Sequence, residues 1–231
     1  MSVVILKLAP RANGFVVRVA LVALLVLCTR AEAEAVLVYQ LDDGTAIGAA
    51  GGLNSTVAMI NQFTVTGGNE KITEILVDFG GAFGGVDDTV TAALWSDPNG
   101  DMSPLDAVLL ASVTQTSDQA GGFNTFDIPD TTVGPNGTSF FVGVVWRDSY
   151  PLVEESLAVL RDFPATAMRS YWYAGSGVSA SDPTGGTLQT QPGDWFIRAT
   201  ATVPETSAFL YGAIVSVMAC GACRRKWRRE A

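Results

Sequence analysis

The fold class is decided by the stretch ITEILVDF at residues 72–79, in which apolar and polar side chains nearly alternate. Successive side chains of a β-strand point to opposite faces of a sheet. Ile75, Val77 and Phe79 therefore fall on one face, and the residues between them fall on the other. A strand with one apolar and one mixed face predicts a sheet that is buried on one side only.

Short apolar and β-branched runs of the same kind recur along the chain, separated by glycine pairs that form turns. The run at residues 140–145 is apolar throughout, which predicts a central strand buried on both faces. Residues 36–202 are therefore predicted to form an antiparallel β-sandwich of about ten strands, either a jelly roll or an immunoglobulin-like arrangement. The predicted strands are residues 36–41, 57–65, 72–79, 90–95, 108–114, 123–128, 140–146, 157–160, 168–173 and 195–203.

The body lacks the side chains that most hydrolytic mechanisms need. The chain has no histidine, and Cys28, Cys220 and Cys223 all lie outside residues 36–202. Histidine-dependent catalysis and histidine-bound zinc are thereby excluded, and no cofactor is required. The glycine-rich segment at residues 80–85 has no following lysine or helix, so it is interpreted as a hairpin turn and not as a phosphate loop. Paired carboxylates from separate loops remain as a catalytic option.

Charge is distributed unevenly along the chain. The net charge is −9, but nine of the fourteen Lys and Arg residues lie before Val36 or after Val203. Residues 36–203 therefore carry nineteen Asp and Glu against five Lys and Arg, a net charge of −14. Such a body repels nucleic acid, whose binding needs cationic side chains at the phosphates, and it favours contact with divalent cations.

Residues 1–35 have the layout of a secretory signal peptide. Three basic residues precede a short apolar run at residues 19–27, and the alternating alanines of residues 31–35 follow. A basic region, an apolar core and small residues at the cleavage site are typical of a cleaved export signal. An uncleaved anchor is the alternative.

Residues 203–231 form a second targeting segment with three parts. A Val203-Pro204-Glu205-Thr206 motif is followed by an uncharged stretch at residues 207–223 and then by a basic cluster. A helix over residues 206–223 would be about 27 Å long, close to the roughly 30 Å hydrocarbon core of a bilayer. The basic cluster is expected to stay in the cytoplasm, which leaves the body outside the inner membrane. This cluster consists of Arg224, Arg225, Lys226, Arg228 and Arg229.

This three-part tail resembles the PEP-CTERM sorting signal of bacteria. The resemblance implies processing by an exosortase-type membrane protease and a destination in the envelope or the exopolysaccharide matrix of a Gram-negative-type cell. Thr206 stands where the usual motif has its second proline. A plain C-terminal anchor is the alternative. Residues 90–110 and 193–199 also resemble secreted bacterial β-sandwich domains of unassigned activity, which implies a fold but no reaction.

The most chemically suggestive segment of the body is DPNGDMSPLD at residues 97–106. Oxygen-bearing side chains recur at every second position from Asp97 through Asn99 and Asp101 to Ser103, as in loops that wrap calcium. The glycine and the terminal glutamate of an EF-hand are missing, so Asp106 would have to supply the last ligand. Two interpretations follow: a calcium loop with these five candidate ligands, or an Asp-Pro-Asn-Gly turn with solvated acids.

Tyr171, Trp172 and Tyr173 are the candidate ligand-contacting aromatics, because such rings offer an apolar face with a polar tip to a sugar. Strand alternation places the two tyrosines on one face and the tryptophan on the other. Packing in the core is the alternative for all three residues.

These features leave three functional hypotheses. The first is a non-enzymatic envelope or extracellular-matrix protein, delivered by the tail, with a structural or adhesive role. The second is a carbohydrate-binding module, and the third is a carboxylate-based glycoside hydrolase. An exposed, coplanar pair of rings would favour the second, and two facing acids in a deep cleft would favour the third. Buried rings and scattered acids would leave the first.

Overall fold

The computed structural model of the chain describes residues 34–51, 54–67, 70–80, 88–118, 121–147, 157–163, 168–190 and 193–204. Within these residues the chain forms twelve β-strands and one short 3-10 helix, Pro104–Asp106. The strands are β1 (Glu34–Tyr39), β2 (Gly48–Ala50), β3 (Thr56–Thr64), β4 (Lys71–Asp78), β5 (Thr89–Ser96), β6 (Val108–Thr116), β7 (Phe123–Thr132), β8 (Ser139–Arg147), β9 (Val159–Arg161), β10 (Ser170–Ala174), β11 (Thr187–Leu188) and β12 (Ile197–Pro204).

The strands form two large sheets and one small ribbon. The four-stranded sheet has the order β1-β12-β4-β7, and the six-stranded sheet has the order β11-β10-β3-β8-β5-β6. β2 and β9 pair with each other as the ribbon. Every pair of strands whose register is described runs antiparallel. The prediction of an all-β, antiparallel architecture is confirmed.

β4 shows the alternation that its sequence predicts. Ile75, Val77 and Phe79 are fully buried, whereas the residues between them are partly exposed. Ile72 is also buried, although it lies an odd number of positions before Ile75. The pairing of β4 with β7 shifts register between Ile72 and Glu74, and such a bulge turns the side chain of Ile72 inward.

The two large sheets pack face to face around one apolar core. The four-stranded sheet contributes Ile75 of β4 and Ile197 of β12 to this core, among others. The six-stranded sheet contributes Met59 of β3 and Val142 of β8. All four side chains are fully buried. Two antiparallel sheets that share one apolar interior form a β-sandwich.

β8 is buried on both of its faces, as its uninterrupted apolar sequence predicts, and eight of its nine residues are buried. One face contributes to the core between the sheets. On the other face, Phe141 packs with Trp95 and Tyr173 in a second apolar cluster, which we call the outer cluster. The segment after β10 closes over it, because Val178 joins the cluster and Ala180 accepts a hydrogen bond from Trp95 Nε1 at 2.7 Å.

All ten predicted strands are present, with ends that differ by a few residues. Two further strands, β2 and β11, carry no clear sequence signal because they are three and two residues long. The hairpin interpretation of residues 80–85 is wrong, since β4 and β5 belong to different sheets. Residues 81–87 themselves lie outside the described residues.

Ala35–Val203 forms one compact unit. The predicted signal helix at residues 1–33, and the tail from residue 205 onward with its membrane helix and basic cluster, lie outside the described residues. Of the sorting motif, Val203 and Pro204 are described, and they end β12. No helix in the described part of the chain is long and apolar enough to cross a bilayer.

Candidate metal centre

Residues 97–106, which we call the Asp97–Asp106 loop, connect β5 with β6 at one end of the six-stranded sheet. β5 and β6 pair from Thr89↔Thr116 to Ser96↔Val108, so the loop is the turn of a hairpin. A buried tryptophan on β5 and a half-buried leucine opposite it pack in the outer cluster at the base of the loop. The loop therefore projects from a well-packed part of the sandwich.

Asp97 organises the loop from within. It is only 6% exposed, and its two carboxylate oxygens accept hydrogen bonds from the backbone N–H groups of Gly100 and Met102, each at 2.9 Å. Gly100 (φ 73°) and Met102 (φ 65°) both adopt the left-handed conformation, which is uncommon for a methionine. The hydrogen bonds to Asp97 hold the backbone in this conformation.

Asn99, Asp101 and Ser103 shape the rest of the loop by accepting hydrogen bonds from the backbone two residues further on. Asn99 Oδ1 accepts from the Asp101 N–H at 2.8 Å, and Asp101 Oδ1 accepts from the Ser103 N–H at 2.7 Å. Ser103 Oγ accepts from the Leu105 N–H at 3.4 Å and caps the 3-10 helix. These are the local contacts of Asx and Ser/Thr turns, and they explain why oxygen-bearing residues recur at every second position.

The loop brings three carboxylates together. Asp97, Asp101 and Asp106 each place one carboxylate oxygen within 4.8 Å of the other two. With calcium–oxygen distances of 2.3–2.6 Å, oxygens on opposite sides of one calcium ion are about 4.6–5.2 Å apart. The spacing therefore fits a single ion. Of the five predicted ligands, these three converge, whereas the side-chain oxygens of Asn99 and Ser103 hold the backbone.

Tyr171 connects the candidate aromatic residues of β10 with the candidate calcium ligands of the Asp97–Asp106 loop, which are far apart in the sequence. Its hydroxyl donates a hydrogen bond to the carbonyl oxygen of Met102 at 2.6 Å, so β10 holds the middle of the loop. Burial raises the pKa of Tyr171, and the negative charges of Asp101 and Asp97 raise it further, whereas the positive charge of Arg169 lowers it. The sequence does not signal this contact, because 69 positions separate its two residues.

Trp172 and Tyr173 are packed inside the protein. Trp172 lies in the core between the sheets, where its ring is T-shaped against Trp195 with 6.2 Å between centroids. Tyr173 is 5% exposed and packs in the outer cluster. The tyrosines and the tryptophan do lie on opposite faces of β10, but Trp172 and Tyr173 offer no exposed ring to a sugar. Their placement matches the core alternative.

A second polar centre, which the sequence does not signal, ties the segment after β1 to β12. Arg198 donates to both carboxylate oxygens of Asp42, from Nε at 3.0 Å and from Nη2. The Asp42 side chain is fully buried, and the Arg198 guanidinium also lies 4.3 Å from the ring centroid of Phe123. Next to this pair, Asp162 accepts the backbone N–H of Asp43 at 3.1 Å. Protein donors engage both carboxylates, which indicates a structural role.

No protein-family model matches the chain, and no curated protein matches it either. Among solved structures, the chain is similar to the cysteine protease and lectin-like domains of Cwp84, a surface-layer-associated protein of Clostridium difficile. The identity is 16% and the TM-score 0.48, over 73% of this chain and 36% of that one. A clostridial Cwp84 structure after propeptide cleavage gives 14% identity and a TM-score of 0.47, over 73% and 40% of the two chains.

A structure of infectious bursal disease virus gives 12% identity and a TM-score of 0.27, over 76% of this chain and 42% of that one. The chain thus spans about two fifths of the length of the solved chains that it matches. Because each TM-score lies below 0.5, neither fold nor function is inferred from these proteins.

Proposed function

We propose that this chain is an exported, non-enzymatic protein of the cell envelope or extracellular matrix, with a structural or adhesive role and a calcium-binding β-sandwich body. The observation that carries the calcium-binding part of this proposal is the convergence of the Asp97, Asp101 and Asp106 carboxylates in the hairpin loop between β5 and β6. The net charge of −14 on residues 36–203 adds a long-range attraction for divalent cations.

The donor set suits calcium better than a transition metal. Carboxylate oxygens are hard ligands, and residues 36–202 contain no histidine or cysteine to favour zinc or copper. The carboxylate oxygens of Asp97 and Asp101 that accept N–H groups each have a second lone pair for a cation. Asp106 is exposed and takes no part in the hydrogen bonds that hold the loop, so its carboxylate is available.

Titration calorimetry of the full chain in detergent tests calcium binding, with Asp106→Asn as the diagnostic variant. Wild type should release or absorb heat with calcium, and its melting temperature should fall on adding a chelator. Asp106→Asn should bind at least tenfold more weakly and melt like wild type in chelator, because Asp106 does not hold the loop. Asp127→Asn, at an exposed position of β7, is the matched control. Absence of both calcium heat and a chelator effect in wild type would rule out the site.

The tail accounts for delivery in this proposal. Residues 203–231 hold the precursor in the inner membrane with the body outside the cytoplasm, and an exosortase-type protease then processes them. The support is the order of the sorting motif, the uncharged stretch and the basic cluster. Protease added to spheroplasts should degrade the body while a cytoplasmic marker stays intact. A body that remains protected until the inner membrane is lysed would contradict export.

Strand order favours a jelly roll over an immunoglobulin-like sandwich, and we infer the former. In the immunoglobulin arrangement the first strand pairs with the second, and the first and last strands lie in different sheets. Here β1 pairs with the last strand, β12, in one sheet, while β3 lies in the other. Each sheet contributes four long strands, β1-β12-β4-β7 and β3-β8-β5-β6, which gives the eight strands of a jelly roll.

Calcium-dependent carbohydrate binding is the second candidate function, and the position of Tyr171 favours it. The tyrosine is half-buried beside the carboxylate cluster, so a sugar hydroxyl that reaches the ion would also meet an aromatic ring. Alginate, an acidic polysaccharide, is a suitable probe. Retention on immobilised alginate should require calcium and be lost in Asp106→Asn. Equal retention with and without chelator would exclude this candidate and leave the structural role.

A further inference from the structure

The end of β12 is the place where the chain leaves the body toward its tail. Val203 is the last residue of the compact unit, and the uncharged stretch of the tail begins at Ser207. A chain from Val203 to Ser207 spans at most about 14 Å when it is fully extended. The headgroup region takes up about 5–8 Å of that length on each side of a bilayer. A tail that enters a bilayer therefore holds the end of β12 against the lipid surface.

β1 brings two exposed valines to the same place. β1 is the hydrogen-bonded neighbour of β12. Asp42, which follows β1 by three residues, forms an ion pair with Arg198, the second residue of β12. Because this pair places the end of β1 beside the start of β12, the beginning of β1 lies beside the end of β12. Val36 and Val38 belong to that part of β1, and they are 70% and 44% exposed.

Lys71, the only lysine of residues 36–203, lies on the other side of the end of β12. It begins β4, pairs with Thr202 of β12 and is exposed. Two exposed valines and one exposed lysine thus flank the point where the chain leaves the body. We call Val36, Val38 and Lys71 the tail corner.

We propose that the tail corner rests on the phospholipid bilayer that holds the tail, with its valines at the boundary between headgroups and acyl chains and the Lys71 ammonium at lipid phosphates. This inference rests on the proposed delivery by residues 203–231. Apolar side chains beside lysine are typical of surfaces that lie in the membrane interface. Glu34 begins β1, so the corner is not basic overall and the valines carry most of the contact. A short tether gives an effective concentration in the millimolar range, so weak contacts suffice.

Acetylation of lysines by a water-soluble reagent, quantified by mass spectrometry, measures whether lipid covers the tail corner. The full chain carrying Arg147→Lys is inserted into phosphatidylcholine nanodiscs, with chelator present to keep the calcium site out of the measurement. Arg147 is exposed and pairs with Thr56 at the opposite end of the sandwich, so its substitution provides a reference lysine. Lys71 should react at least threefold more slowly in nanodiscs than in detergent, whereas the reference lysine should react equally in both.

Val36→Glu should restore fast acetylation of Lys71 in nanodiscs, because a carboxylate is costly to place at the acyl boundary. Ile47→Glu is the matched control and should leave Lys71 protected. Ile47 is 59% exposed, and its N–H donates to the carbonyl oxygen of Arg161, which pairs with Trp195 just before the start of β12. Equal melting temperatures for the two variants would show that both are folded; otherwise Val36→Ser replaces Val36→Glu.

Three results would overturn the proposal. One is equal acetylation of Lys71 in nanodiscs and in detergent by a chain that co-elutes with the nanodiscs, which would leave insertion of the tail intact. Another is protection of Lys71 that survives both Val36→Glu and Val36→Ser, because the valines would then not make the contact. The third is a chain that does not co-elute with nanodiscs at all, which would contradict delivery by the tail and docking together.

Discussion

Single aspartates of the Asp97–Asp106 loop have different roles, although the sequence presents them as one repeating pattern. Asp97 is buried and accepts two backbone N–H groups, so it belongs to the fold of the loop. Asp106 is exposed at the end of the 3-10 helix and is available to a cation. Spacing alone cannot separate these roles, because turn formation and calcium binding both place an oxygen at every second position.

Asp97→Asn should lower stability even without calcium. An amide has one acceptor oxygen, so its NH₂ group would face one of the two backbone N–H donors that Asp97 now engages. The expected loss is about 1–3 kcal/mol in the free energy of unfolding, the range for a buried donor without a partner. Urea unfolding in chelator measures it. An unchanged midpoint there would show that Asp97 does not organise the loop.

Tyr171→Phe should weaken the attachment of the loop to β10. Loss of the hydrogen bond to Met102 should lower the free energy of unfolding by about 0.5–1.5 kcal/mol near pH 7.

Alkaline pH provides a second measurement on Tyr171. Its pKa is raised in the folded state, so its contribution is complete below the unfolded value of about 10 and is lost as the pH rises through the folded value. Urea unfolding at pH 7 and above pH 10 should therefore show a smaller alkaline loss in the variant than in wild type. A variant whose stability falls as steeply as that of wild type above pH 10 would contradict this account.

At the scale of elements, side-chain alternation predicts where strands lie but not which strands pair. ITEILVDF and the apolar run of β8 behave as predicted, because each reports the burial of its own two faces. The hairpin at residues 80–85 is predicted wrongly, because a glycine-rich turn can either reverse a strand or cross between sheets. Pairing depends on contacts distant in sequence, such as that of β1 with β12.

Gly143→Ala should disrupt the centre of the six-stranded sheet. A Cβ at this position of β8 would collide with the carbonyl oxygen of Met59 on β3, and backbone cannot move aside as a flexible side chain can. Overpacking of this kind costs about 1–3 kcal/mol or more. Gly48→Ala is the control, because its Cβ would meet only the Arg161 side chain at ordinary contact distance. Equal thermal stability of the two variants would contradict the pairing of β3 with β8.

Arg198→Met should destabilise the junction between the segment after β1 and β12. The substitution leaves the fully buried Asp42 carboxylate without its ion-pair partner, and breaking a buried pair costs roughly 3–5 kcal/mol. The lower end is expected, because the Arg198 side chain is 20% exposed. Adding Asp42→Asn should recover part of the loss. Arg147→Met, at the exposed end of β8, should change the unfolding midpoint little; an equal effect would refute the role of the pair.

For the whole molecule, composition and side-chain alternation predict the fold class of the body and the charge of its surface. Contacts between residues that are distant in the sequence can be read only from the folded chain. The all-β class, the two-sided burial of β8 and the acidic body follow from residues read in order. The contact of Tyr171 with the loop and the Asp42–Arg198 pair join residues that are 69 and 156 positions apart. Such contacts depend on strand order, which no local pattern encodes.

Mass spectrometry of both termini of the native, surface-exposed protein tests the central claim of a sorted, exported body most directly. The mature chain should start after Ala33 or Ala35 and lack the basic cluster at residues 224–229. Substitution of Pro204 and Glu205 by alanine should leave the body in place and preserve an uncut tail in the membrane fraction. A surface-exposed wild type that still ends at Ala231 would contradict sorting by cleavage.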